Sequence, residues 1–246
     1  MLIYPIGVTK ACTFACAILN RQGFRFTDHP CPEITHLLLD VPSFQPDGFL
    51  RGGIALDPVL SMIPQNVHII GGNLDLPVIA AYHKTDFLKD PFYLAQNADI
   101  TADCALRLAS EKLDRTFADA PALVIGWGRI GKCLVRKLQA LGCPVQAAAR
   151  KDSDQAMIRT LGCDSLSIEE LPRKIQDFHL IFNTVPAPLP DMVIPESALA
   201  YELASVPGLP ETHAISARGL PGKMAPYSSG KLIAETISRL NKEEML

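Results

Sequence analysis

Gly126, Gly128 and Gly131 stand in Gly-x-Gly-x-x-Gly spacing, with Trp127, Arg129 and Ile130 between them. Residues without a Cβ at these places let a chain turn tightly, bring its backbone up to a pyrophosphate, and pack a helix closely on a strand. The unpaired amides and positive dipole end of a helix N-terminus then suit the phosphates. The spacing carries this meaning only where a strand turns into a helix. That context is present. Residues 122–125 are a short apolar run with β-branched members, fit for a buried parallel strand. Leu134, Val135, Leu138 and Leu141 recur at helical spacing as far as Gly142, and residues 145–149 give a second apolar strand. A strand, a helix and a second strand in this register predict a dinucleotide site.

Arg150 follows that second strand, with Lys151 and Ser153 behind it. An NAD site usually has Asp or Glu here, bonded to the ribose 2′-hydroxyl, whereas a guanidinium can meet a 2′-phosphate with paired charge-assisted hydrogen bonds. NADP is therefore the expected cofactor, with NAD as the alternative. A further apolar strand over 179–184 ends in Asn183-Thr184-Val185-Pro186, at the edge where open α/β sheets hold their ligands. Asn183 fits a turn residue equally well. The expected cofactor contacts are thus Gly126, Trp127, Gly128, Arg129, Ile130, Gly131, Arg150, Lys151, Asn183, Thr184, Val185 and Pro186.

The elements around these residues alternate. Strands are expected at 2–8, 24–27, 35–41, 67–70 and 76–82, with helices at 10–22 and 57–63, a turn-rich loop at 43–53, and a less regular stretch at 86–97. A helix over 99–113 leads into the glycine motif. Beyond Arg150 come a helix at 152–161, a strand at 165–166, a helix at 168–175, strands at 201–204 and 213–216, a turn at 219–223, and a closing helix over 229–240. The pattern is that of an α/β protein with parallel sheets.

At 246 residues the chain suits one large domain or two small ones. Its 23 basic and 26 acidic residues leave a net charge of −3, which gives no footprint for nucleic acid or an anionic membrane. No apolar run approaches a membrane span and no signal peptide stands out. Seven cysteines without Cys-x-x-Cys read as reduced thiols in a cytoplasmic protein. Cys12 and Cys16, four apart, read as small buried residues, and the six histidines show no ligand spacing, so no metal is expected.

Several further landmarks carry a resemblance. They are Asn97-Ala98-Asp99-Ile100-Thr101-Ala102-Asp103, Val124 to Gly131, Ala149-Arg150, Asn183 to Pro186, Glu202-Leu203-Ala204-Ser205-Val206-Pro207-Gly208, and Gly219-Leu220-Pro221-Gly222-Lys223-Met224-Ala225-Pro226 followed by Gly230. In this order they resemble the A subunit of dipicolinate synthase. The Gly-Leu-Pro-Gly segment and its Ala-Pro are the most discriminating. The resemblance implies two Rossmann-like domains, with the last helix returning to the first. The expected division is an N-terminal substrate domain over 1–96, joined by the closing segment 229–246, and a nucleotide domain over 97–228 that includes the linking helix.

The resemblance also implies an NAD(P)-dependent oxidoreductase acting on a tetrahydrodipicolinate-type cyclic dicarboxylate to give dipicolinate, the dicarboxylate of bacterial spores. A flavoprotein, the B subunit of that synthase, is the implied partner, and a homo-oligomer is expected. The chain departs from the family in three places. Ile6-Gly7-Val8-Thr9 stands where Gly-Gly-Asp is usual, Glu202 serves as the acid before Leu-Ala-Ser, and Tyr227 occupies a lysine's place. Candidates for the chemistry are Asn97, Thr101, Lys223 and Ser228, with Asn97 and Thr101 either caps or the wall of a cleft between domains. Arg218 and Lys223 form a cationic pair suited to carboxylates, or are two solvated surface charges. The alternatives are a D-2-hydroxyacid dehydrogenase, which needs an arginine and an acid-paired histidine, and a nucleotide-binding paralogue without chemistry.

Overall fold

The computed structural model describes residues 1–210 and 212–243, so positions 244–246 of the expected closing segment lie outside the described residues. Two compact units divide the chain: Met1–Asn97 with the chain from Pro221 onward, and Ala98–Leu220.

In the first unit, β1 (Leu2–Pro5) leads into α1 (Lys10–Arg21), followed by β2 (Arg25–Phe26), β3 (His36–Leu38), α2 (Leu56–Leu60), β4 (His68–Gly71) and β5 (His83–Asp86). The strands are all parallel, in the order β2-β1-β3-β4-β5. Helix α1 starts where Thr9 accepts a hydrogen bond from the Cys12 amide, and its buried stripe is Ala11, Cys12, Ala15 and Leu19, a helical period of one apolar face. Leu37, Leu39, Ile69, Leu74 and Ile79 form the core against the sheet.

Helix α3 (Pro91–Ser110) crosses the division at Asn97. The second unit continues with β6 (Ala122–Ile125), α4 (Arg129–Ala140), β7 (Val145–Ala149), α5 (Asp152–Thr160), β8 (Asp164–Ser167), α6 (Leu171–Lys174), β9 (Leu180–Asn183), β10 (Leu199–Glu202) and β11 (Ala214–Ser216). Its sheet is also fully parallel, ordered β11-β10-β9-β6-β7-β8. Counted from β6, this is the Rossmann order 3-2-1-4-5-6, with its reversal between β6 and β9. Leu123, Ile125, Ala148, Leu166 and Ile181 fill one face of it. Lys137 on α4 ties that helix to α3 through Asp99 at 3.0 Å and Asp103 at 2.8 Å. Helices α7 (Leu220–Met224) and α8 (Pro226–Glu243) close the chain. The α/β class with two parallel sheets is as expected.

Three expectations from the sequence need correction, and each involves a proline. Residues 76–82 are not a strand: Pro77 opens a short 3₁₀ turn, Pro77–Ile79, and the edge strand is β5 instead. The helix expected from residue 99 starts at Pro91, where the Asp90 carboxylate accepts from the Tyr93 amide at 2.7 Å, so Asn97 and Thr101 lie inside the helix and not at its start. The turn expected at 219–223 is α7, with Pro221 in its first turn, and the closing helix starts at Pro226 ahead of residue 229. Proline in a first helical turn loses nothing, because its missing N–H would have had no partner there.

Candidate dinucleotide site

The sheet of the second unit sends the chain ends after β6, β7, β9 and β10 to one carboxyl edge, since all its strands run the same way. The turn after β6 is tight. Gly126 has φ +107°, and a Cβ there would stand 2.5 Å from Thr184 Oγ1 and 2.8 Å from Val185 Cγ2. Gly131 is buried on the first turn of α4, and a Cβ on it would meet the Gly126 carbonyl oxygen at 2.1 Å. Gly128 differs from both. It caps α4, and a Cβ built on it meets nothing within 4 Å. Two glycines hold the turn shut, and the third leaves open space above the helix N-terminus. That is the arrangement a pyrophosphate requires, with backbone amides facing it and no side chain in the way.

Arg129 is exposed, Ile130 half-buried, and Trp127 half-buried with Lys132 Nζ 5.8 Å from its ring centre. The Trp127 indole nitrogen is buried without a hydrogen-bond partner among the described residues. Arg150 and Lys151 are exposed where β7 meets α5, and Arg150 makes no hydrogen bond or ion pair among the described residues. Thr184 donates its hydroxyl to the Ile125 carbonyl at 2.9 Å, fixing the loop after β9 against the turn after β6. Pro186 is exposed beside it.

Asn183 is placed otherwise than a ligand contact. It is fully buried, and its amide nitrogen donates to both oxygens of Glu202, at 3.0 and 2.9 Å. Its carbonyl oxygen accepts from the Val185 amide at 3.0 Å. Its work is internal; Thr184 and Val185 beside it are half-buried, Val185 packing on the core, and Pro186 is exposed. Sequence reasoning misses Glu202 as its partner. The available signal is an acid in an otherwise apolar strand.

Among the chemical candidates, Thr101 is buried and Asn97 half-buried on α3, while Lys223 on α7 and Ser228 in the first turn of α8 are exposed. Asn97, Lys223 and Ser228 fall in the first unit and Thr101 in the second. Arg218 donates Nε to the Ala204 carbonyl at 2.9 Å. All seven cysteines are free thiols, and burial pushes Cys143 and Cys163 up to about 11, so both are protonated at neutral pH and poor nucleophiles. Among the described residues, no three His, Cys, Asp or Glu side chains gather as a metal site would require, and no helix is long and apolar enough to cross a membrane.

The chain is 27% identical over 241 residues to the dipicolinate synthase A subunit of Bacillus subtilis (strain 168), covering 87% of this chain and 80% of that one. It resembles dipicolinate synthase A. The likeness read from sequence motifs thus extends over most of the chain. The crystal structure of dipicolinate synthase, A chain, from Bacillus subtilis superposes with a TM-score of 0.85 at 22% identity, covering 99% of this chain and 96% of that one. A D-isomer specific 2-hydroxyacid dehydrogenase from Xanthobacter autotrophicus Py2 shares the fold more loosely, with a TM-score of 0.54 at 15% identity over 98% and 97% of the two chains. No family model matches the chain. The fold is that of dipicolinate synthase A and of related dehydrogenases.

Proposed function

We propose that this chain is an NAD(P)-dependent oxidoreductase of the dipicolinate synthase A type, acting on a tetrahydrodipicolinate-type cyclic dicarboxylate. The observation that carries the reading is the open space over Gly128 at the N-terminus of α4, inside a sheet of Rossmann order. When bound, a nicotinamide dinucleotide supplies the hydride acceptor or donor. The turn over 126–131 holds the pyrophosphate on backbone amides, and Thr184 to Pro186 wall the nicotinamide side. We assign substrate contact to Asn97, Lys223 and Ser228 of the first unit, with Lys223 offering charge to a carboxylate. A flavoprotein partner is part of the same proposal.

The D-2-hydroxyacid dehydrogenase reading ranks behind this one. It requires a histidine paired with an acid, and His213, in the region where that histidine would stand, is exposed with Nδ1 turned to the Thr212 hydroxyl at 2.8 Å. The test is turnover. Purified protein given tetrahydrodipicolinate and excess NADP⁺ should form two NADPH per dipicolinate, because aromatising the ring removes two hydrides and two protons, with and without the flavoprotein. Tight nucleotide binding without turnover in either arm would leave a binding paralogue.

Cofactor choice gives a separate expectation. Arg150 is exposed, so its contact with a 2′-phosphate is partly screened by water, and about tenfold tighter binding of NADPH than NADH is expected, ~1.4 kcal/mol. Arg150→Asp should reverse the order, because a carboxylate repels the 2′-phosphate and accepts from the 2′-hydroxyl. Dissociation constants of both cofactors with both proteins check this. A wild type that prefers NADH would show that Arg150 does not read the phosphate.

A further inference from the structure

Glu202 ends β10 and is only 5% exposed. Four nitrogen donors converge on its carboxylate: Asn183 Nδ2, and the amides of Ala204, Gly208 and Leu209 at 2.9, 2.9 and 3.1 Å. A buried carboxylate is costly unless its oxygens are satisfied, so these amides are held to it and the loop over 203–209 keeps one shape. Asn183 passes that constraint to the next strand, which pairs Asn183 directly with Glu202 in register. Its side chain takes the Val185 amide at 3.0 Å, and Thr184 and Val185 in turn occupy the space a Cβ would need at Gly126, the first glycine of the phosphate turn. Gly208 locks the two loops together. A Cβ there would stand 2.8 Å from the Ala187 carbonyl oxygen and 2.8 Å from Asn183 Nδ2.

Resting on the reading of this edge as a dinucleotide site, we propose that Glu202 is a positioning residue for the nicotinamide half alone. In a sheet of this order the two mononucleotide halves lie on opposite sides of the reversal between β6 and β9. Strand β7 and Arg150 flank the adenine half, and the loops after β9 and β10 flank the other. None of Glu202's hydrogen bonds among the described residues reaches β7 or α5. The device therefore shapes one half of the site and leaves the other untouched.

The experiment compares a whole cofactor with its adenine fragment. Titrations of NADPH and of adenosine 2′,5′-bisphosphate are made with the wild type, Glu202→Gln and Gly208→Ala, alongside thermal melts. Glu202→Gln keeps the volume and turns an N–H₂ toward donors that need an acceptor. NADPH affinity should fall about tenfold or more, with fragment affinity unchanged within about twofold. Glu202→Asp, which keeps the charge one methylene short, should recover part of the loss. Gly208→Ala should give the same split by pushing the loops apart, and it carries the test if Glu202→Gln does not fold. Equal loss for both ligands, or no loss for either, in a folded variant overturns the proposal. Failure of the wild type to bind either ligand would instead sink the dinucleotide reading beneath it.

Discussion

Gly128→Val is expected to lower dinucleotide affinity at least about 100-fold while the protein keeps its fold. Gly128 has φ −79°, a backbone shape valine adopts without strain, and no protein atom lies within 4 Å of the added Cβ. The added Cβ therefore has room, and the branches it carries stand where a pyrophosphate must lie against the amides of α4. Loss of glycine as helix cap costs about 1 kcal/mol at most, so the melting temperature should shift by only a few degrees. Calorimetric titration with NADPH and NADH reads the affinity. An unchanged dissociation constant would mean that no phosphate lies over this residue.

Gly131→Ala should act the other way round, on the fold first. The added methyl would lie 2.1 Å from the Gly126 carbonyl oxygen and 3.1 Å from its carbonyl carbon. Those atoms are backbone, and Gly126 is itself confined by Thr184 and Val185, so no flexible side chain can give way. The turn after β6 must open or α4 must shift from the sheet, at a cost of about 3 kcal/mol. Urea denaturation should show a lower midpoint with an unchanged slope, and cofactor binding should weaken as the turn deforms. The same methyl at Gly128 should leave the midpoint nearly where it was. Equal effects at the two glycines would contradict the division of labour between them.

The unit over β6, α4 and β7 is legible in the sequence because its signals are local. An apolar run, three spaced glycines and a helical stripe all lie within 28 neighbouring positions, and each reports a short-range constraint. The helix starts at Pro91, Leu220 and Pro226 escape such a reading because proline, which can end a helix, here stands in its first turn. The apolar content of residues 76–82 suggests a strand, although Pro77 cannot supply a ladder donor. Asn183 and Glu202 are both visible as residues, yet their meeting depends on β9 and β10 pairing in one register across 19 positions. Asp40 shows the same limit. It lies beyond β3 and accepts from the Val8 and Thr9 amides, closing the start of α1 by contacts 32 and 31 positions apart. Nothing near Asp40 in the sequence announces that role.

Trp127 offers the most direct test of the central claim. It is the protein's single tryptophan and stands between the first two glycines of the phosphate turn. Its fluorescence should change saturably as NADPH is added, and the change should vanish in Gly128→Val at the same concentrations. A wild-type signal that stays flat up to millimolar NADPH and NADH, in protein shown to be folded, would contradict the claim that this turn holds a dinucleotide.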